Sequence, residues 1–387
     1  MSFHLHISPE TRFLRIPGSF VLESGERLRG VEVAYRTWGT LSPTRDNAVV
    51  VCHALTGSAD VDRWWGKLLG GGRALDPEVD FVVAANLLGS CYGTTGPLSP
   101  RAGAGPRPPG DSGWAGDFPA ITVRDQVRLQ QRLLDALAVE RVRLVVGGSL
   151  GGMQALEWAL LDRGRVESLA VLSAPARHGP WGIALSELAR RALLLDPKFR
   201  GGHYPPDDPP AAGLALARAI AMTTYRSRPG FEQRFGRDRR EGRFEVARYL
   251  EHQGRKLVER FDANSYLALL GAMDSHDLAR DRGSLEIVLR GLDLPVLVLG
   301  SSTDVLYPVA EQLELATLLP AAEYVELDSA HGHDAFLIEQ EAVDRILQEF
   351  RQRSRALWRG RPARPALPSS LPPPAPLAQK TAAGGTG

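Results

Sequence analysis

The sequence predicts an α/β fold built on a doubly wound, mostly parallel sheet, with a block of helices inserted late in the chain. Short apolar runs alternate with helix-like stretches through most of the 387 residues, the rhythm of βαβ units. Several of these runs are apolar in succession instead of at every second residue, which suits strands covered on both faces. The alternation lapses once, between about residues 181 and 291.

Taken in order, strand patterns fall at 31–36, 48–52 and 81–85. A helix is expected over 123–137, where the Thr122 side chain can accept from the free amides of the first turn. A strand at 142–146, a glycine-rich turn, a helix at 153–161 and a strand at 169–172 follow. Helical patterns at 185–195, 213–223, 246–261 and 265–278 then succeed one another with no convincing strand between them. The alternation resumes with strands at 296–299 and 324–327 and helices at 309–319 and 335–350. Pro308 marks the start of the first of these helices, because its fixed φ and missing amide suit a helix N-terminus.

These patterns divide the chain into an α/β core in two parts, 1–180 and 292–358, and a helical insertion at 181–291. Both ends of the insertion attach to one sheet, so a cap over the site is expected in preference to a separate helical domain. Residues 359–387, dense in Pro, Ala and Gly, hold too few large apolar side chains to order themselves and are expected to be a disordered tail. Residues 101–116 look like a surface loop.

Composition narrows the function. Lys and Arg number 46 against 45 Asp and Glu, a formal net charge of +1, with the signs interspersed. That is no nucleic-acid footprint and no polybasic membrane patch. No stretch approaches the ~18 uncharged apolar residues of a membrane span, and the first residues lack the form of a secretory signal. A soluble, cytoplasmic protein is expected. Cys52 and Cys91 are too few for a disulfide framework.

The most specific local pattern is Gly147-Gly148-Ser149-Leu150-Gly151-Gly152 between a strand and a helix. Strand, G-x-S-x-G, helix is the layout of a nucleophile elbow, in which a sharp turn presents the serine above the sheet. Side chains two residues either side of Ser149 would collide, and Gly147 and Gly151 remove them. A serine needs a base, and the base an orienting acid. Asp304 lies in the loop after the strand at 296–299, and His333 lies after the strand at 324–327, each at a strand end. His331 is a second candidate base; Asp162, Asp274, Asp277 and Asp328 are weaker acids. Two histidines beside Asp328 or Asp334 do not make a zinc site, and no metal is expected. The tetrahedral oxyanion needs amide donors. Leu150, directly after the serine, supplies one, and Leu55, in the loop after the strand at 48–52, is the choice for the other. His53 in that loop reads as structural.

With these residues in place, the sequence resembles the homoserine O-acyltransferases of the α/β-hydrolase superfamily. The resemblance rests on segments 52–59, 89–97, 147–158, 213–226, 249–266 and 332–337, spread from about residue 10 to about 355. It implies an α/β-hydrolase fold with a helical cap, and a ping-pong reaction of methionine biosynthesis. Ser149 takes an acyl group from acyl-CoA, a co-substrate and not a bound cofactor, and the hydroxyl of L-homoserine then takes it from the enzyme. It further implies that Arg218 and Asp334 bind the amino acid and that the chain forms a homodimer through the cap. Relatives using succinyl-CoA carry arginine two residues after the catalytic aspartate. Here that position is Leu306, which would leave a succinyl carboxylate unpaired, so acetyl-CoA is the expected donor. Serine in place of homoserine, succinyl transfer, or simple ester hydrolysis are the alternatives. Two departures stand out: His331 replaces a frequent aromatic residue, and Tyr307 a common phenylalanine.

Overall fold

A computed structural model describes residues 7–101 and 113–358 of the chain. The tail expected at 359–387 and most of the loop at 101–116 lie outside the described residues.

Twelve strands occur in the described chain: β1 (Arg12–Arg15), β2 (Ser19–Val21), β3 (Arg27–Arg29), β4 (Glu32–Trp38), β5 (Ala48–Cys52) and β6 (Phe81–Ala85) come first. They are followed by β7 (Val142–Gly148), β8 (Leu169–Leu172), β9 (Arg239–Arg240), β10 (Arg243–Phe244), β11 (Val296–Ser301) and β12 (Ala322–Leu327). Eight form one sheet in the order β1-β4-β6-β5-β7-β8-β11-β12. Every pairing from β6 to β12 is parallel, and β4 pairs antiparallel with both β1 and β6. The fold is α/β with a mostly parallel sheet.

Successive side chains of the central strands point to opposite faces. Val50, Val145, Val171 and Val298 enter one apolar cluster, while Val51, Val146, Leu172 and Leu299 enter another. This explains the uninterrupted apolar runs, since neither face meets water. Each such side chain contributes roughly 1.5–3 kcal/mol on burial.

Helices α1 (Val61–Trp64), α2 (Val123–Ala136) and α3 (Leu150–Leu161) belong to the first part of the chain. Thr122 caps α2 as its sequence suggests, its hydroxyl accepting from the Asp125 amide while the Asp125 carboxylate accepts from the Thr122 amide. Neighbouring strands β8 and β11 are separated in sequence by α4 (Pro180–Leu194), α5 (Ala211–Tyr225), α6 (Arg228–Phe235), α7 (Glu245–Val258), α8 (Ala263–Asp274) and α9 (Leu285–Arg290). Helices α10 (Val309–Leu318), α11 (Ala335–Ile338) and α12 (Gln340–Trp358) complete the described chain.

The structure departs from the sequence patterns in several places. Strand β1, at the edge of the sheet, and the separate β2–β3 hairpin have three or four residues each, too short to carry a periodic signal. A two-residue hairpin, β9–β10, interrupts the helical insertion. The helix expected over 335–350 is two, broken at Glu339, whose φ of −82° and ψ of 44° are not helical. The break is stapled by the Gln340 side chain, which donates to the carbonyls of Leu337 and Trp64. Apolar spacing runs across the break undisturbed, so periodicity does not register it.

Candidate active site

Strand β7 ends at Gly148 and α3 begins at Leu150, which leaves Ser149 alone in the turn. Its φ of 57° and ψ of −125° lie where a side chain is disfavoured, at a cost of about 1–3 kcal/mol. Tight packing holds it there. A Cβ on Gly147 would come 2.4 Å from the carbonyl carbon of Gly151, and one on Gly151 would come 2.1 Å from the carbonyl oxygen of Cys52. The elbow is therefore pressed onto the end of β5, beside the loop that begins at His53.

The amide of Ser149 donates to Leu172 O at 2.9 Å, that of Ser173 to Leu299 O at 2.7 Å, and that of Ser302 to Leu327 O at 3.1 Å. These links step from β7 to β8, β11 and β12 and bring their C-terminal ends to one rim, where open α/β sheets place their sites.

Asp304 lies in the loop after β11 and is buried. Its Oδ1 accepts from the amides of Leu306 at 2.8 Å and Tyr307 at 3.0 Å, which fixes the carboxylate. Oδ2 accepts from Nδ1 of His333 at 2.8 Å. His333 occupies a single 3-10 turn, Gly332–Asp334, ahead of α11. Gly332 has φ +65°, and a Cβ there would lie 2.8 Å from the backbone of Arg226 and Ser227, so the turn can only press this closely with glycine.

The rings of Tyr307, Phe336 and Tyr225 surround the His333 imidazole at centroid distances of 5.3, 5.7 and 5.8 Å. Nε2 of His333 is buried and has no hydrogen-bond partner among the described residues. Burial disfavours the imidazolium, but the charge and hydrogen bond of Asp304, with Asp334 adding, outweigh it and raise the histidine above its ordinary pKa. Of the two histidines in this loop, His331 is half-buried and faces Glu339 at 3.7 Å. The structure brings His333 to Asp304.

The serine turn and the histidine turn meet through Phe336. A Cβ on Gly148 would stand 2.4 Å from the Phe336 ring, and that ring meets the imidazole edge-on. The Phe336 carbonyl accepts from Trp65 Nε1 at 2.9 Å, which pins the turn to the core.

Leu55, Leu150 and Leu306 belong to one buried apolar cluster with Met153, Tyr266 and Tyr307. His53 donates from Nδ1 to Ala54 O at 2.8 Å, and burial lowers its pKa to about 4. A neutral imidazole that braces its own loop fits the structural part expected of it.

Arg218 lies on α5 with its guanidinium 5.1 Å from the centre of the Tyr225 ring. Asp334, next to His333, faces Nε of Arg226 at 3.3 Å. Burial raises the Asp334 carboxyl above the ordinary range, opposed by the charges of Arg226, Arg218 and His333. Arg226 and Tyr225 are contributors that the sequence patterns did not single out. Tyr225 lies seven residues beyond Arg218, two helical turns on along α5, which was the available signal, and Arg226 caps that helix in extended backbone. Among the described residues no group of three or more His, Cys, Asp or Glu could hold a metal ion, and no helix is long and apolar enough to cross a membrane.

Residues 47–340 match the family described as alpha/beta hydrolase fold. The homoserine O-acetyltransferase of Chlorobium chlorochromatii is 50% identical over 348 residues, 89% of this chain and 96% of that protein. The homoserine O-acetyltransferase of Nostoc punctiforme is 51% identical over 350 residues, again 89% of this chain and 96% of its own length. Among solved structures, the homoserine O-acetyltransferase of Bacillus anthracis superposes with a TM-score of 0.81 at 25% identity, covering 88% of this chain and 97% of that one.

Proposed function

Because the chain belongs to the homoserine O-acetyltransferase family within the alpha/beta hydrolase fold, we propose that it moves an acetyl group from acetyl-CoA to the hydroxyl of L-homoserine through an acyl-serine at Ser149. In the first half-reaction Ser149 Oγ attacks the thioester carbonyl while its proton passes to Nε2 of His333. The amides of Leu55 and Leu150 hold the oxyanion. Collapse breaks the C–S bond, and the CoA sulfur leaves with the proton from His333. In the second half-reaction His333 takes the proton of the homoserine hydroxyl as its oxygen attacks the acyl-serine. Collapse then returns the proton to Ser149 Oγ and releases O-acetylhomoserine.

One observation carries the choice of acceptor. A single turn bears both the base, His333, and a carboxylate, Asp334, set against Arg226 and within electrostatic reach of Arg218. An amino acid brings one carboxylate and one ammonium, and the reading gives the first to Arg218 and the second to Asp334. The apolar surroundings of Leu306 favour acetyl over succinyl, whose distal carboxylate would lack a partner.

The helical segment 181–291 serves in this reading as a cap that keeps water from the acyl-enzyme until homoserine arrives. Its exposed Trp181, Leu188, Leu195 and Leu216 suit a homodimer formed through α4 and α5, acting in the cytoplasm. The test is to incubate the protein with acetyl- or succinyl-CoA, with homoserine, serine or neither, and to follow free thiol and acylated product. Thiol release that needs homoserine and prefers acetyl-CoA is expected; release indifferent to any acceptor would make the protein a hydrolase.

A further inference from the structure

Arg260 lies in the link between α7 and α8, on the helical insertion, yet its guanidinium reaches the core. Nη1 donates to the Thr56 carbonyl at 2.7 Å and to the Tyr92 hydroxyl at 2.6 Å, and Nη2 lies 3.4 Å from Thr56 Oγ1. Thr56 directly follows Leu55.

The other hydrogen bonds of this loop come from the core or from the loop itself, where His53 Nδ1 also donates to Ala54 O at 2.8 Å. Gln154 Nε2 donates to His53 O at 3.3 Å, the Gly57 amide to Ala54 O at 2.9 Å, and the Ala59 amide to Asn86 Oδ1 at 2.7 Å. Asn86 also donates to Tyr92 O at 2.8 Å, so the Tyr92 loop and the Thr56 loop form one braced unit. Burial pushes the Tyr92 phenol up to about 12, against the pull of Arg260, and it stays a neutral hydroxyl able to accept from the guanidinium. The Thr56 carbonyl is thus the point at which the helical insertion grips the loop. The Thr56 carbonyl shares its peptide unit with the Gly57 amide, which donates to Ala54 O, and the Ala54 carbonyl shares its unit with the Leu55 amide. Without the grip the Thr56–Gly57 unit could rotate and release that relay, and an amide aimed elsewhere loses most of its effect on an oxyanion.

We propose that Arg260 is a positioning residue: by holding the Thr56–Gly57 peptide unit it keeps the Gly57 amide on Ala54 O and so aims the Leu55 amide, in the same peptide unit as that carbonyl, at the developing oxyanion, which makes that donor depend on the docking of the helical insertion. The inference rests on the reading of Leu55 as an oxyanion donor. A planar guanidinium reaches the carbonyl and both hydroxyls at once, which the single ammonium of lysine does not.

The test uses p-nitrophenyl acetate with homoserine as acceptor, which reports passage through the acetyl-serine without CoA, beside the full acetyl-CoA and homoserine reaction. In Arg260→Met, kcat for both is expected to fall about 10- to 100-fold, part of the roughly 10²–10³ lost when a donor is deleted outright. KM for homoserine should stay within about twofold, and free guanidinium should restore part of the rate to Arg260→Ala. Thermal unfolding checks that each variant is folded. Folded Arg260→Met with p-nitrophenyl acetate turnover within about twofold of the parent would overturn the proposal, as would a loss confined to KM. If Arg260→Met does not fold, Arg260→Lys and Tyr92→Phe decide. The lysine variant should be the slower, since Tyr92→Phe leaves the bond to Thr56, and the reverse order would overturn it. A parent that cleaves p-nitrophenyl acetate but never acetylates homoserine would defeat the transferase reading alone.

Discussion

Nδ1 of His333 lies 2.8 Å from Oδ2 of Asp304, between residues 29 apart in sequence, while the other carboxylate oxygen is occupied by the amides of Leu306 and Tyr307. The aspartate can then neither rotate nor leave, and the imidazole keeps its proton on Nδ1 with Nε2 free to act. The raised pKa of His333 fixes the sign of the pH dependence. As the proposed base, His333 works when neutral, so activity should be lost as pH falls through that value. The acid limb of kcat/KM should therefore have its inflection above the ordinary imidazole value of ~6.5. Asp304→Asn should lower kcat about 10⁴-fold and move the inflection to lower pH; an unmoved acid limb would contradict the pairing.

Ser149 sits at φ 57° because its neighbours leave no alternative. Ser149→Ala should abolish transfer and keep the fold. Ser149→Gly should be equally inactive but more stable than Ser149→Ala by about 1 kcal/mol, since glycine adopts this backbone without strain. Chemical denaturation of the two variants checks this, and equal midpoints would show that the turn is not strained.

Asp334 and Arg218 should act on the second half-reaction only. Asp334→Asn or Arg218→Met is expected to raise KM for homoserine roughly 10- to 100-fold, the worth of a charged hydrogen bond. The first burst of CoA, measured without homoserine, should stay near the parent value. A burst that fell equally would place these residues in acylation instead.

Leu306→Arg should raise the ratio of kcat/KM for succinyl-CoA to that for acetyl-CoA. The new cation would stand in an apolar cluster, so the variant should also lose roughly 1–3 kcal/mol of stability. Rates with both donors and a melting curve test the two effects together. An unchanged ratio in a folded variant would remove Leu306 from donor choice.

Gly332→Ala isolates the contact between the histidine turn and the end of α5. The added methyl would meet the Arg226 and Ser227 backbone at 2.8 Å, at φ +65°. A stability loss of about 1–3 kcal/mol and a fall in kcat are expected. Activity and midpoint both close to the parent would show that the turn is free to shift.

Much of the framework is local information and was legible in the chain. Unbroken apolar runs such as 48–52 suit strands covered on both faces, G-x-S-x-G between strand and helix is the layout of a sharp turn, and Thr122 caps α2 by chemistry confined to four residues. Other features depend on meetings between distant segments. The sequence favours His333 over His331, but the bond from His333 to Asp304 is a contact across 29 residues that only the folded chain makes, with His331 beside Glu339. The break at Glu339, the pairing of Asp334 with Arg226, and the reach of Arg260 to Thr56 are equally invisible to periodicity. The sequence alone determined the elements and the kinds of reactive side chain, because backbone preference and apolar period act over a few residues. Only the tertiary structure decided which of those side chains meet, because their distances are set by packing across the sheet between residues tens to hundreds of positions apart.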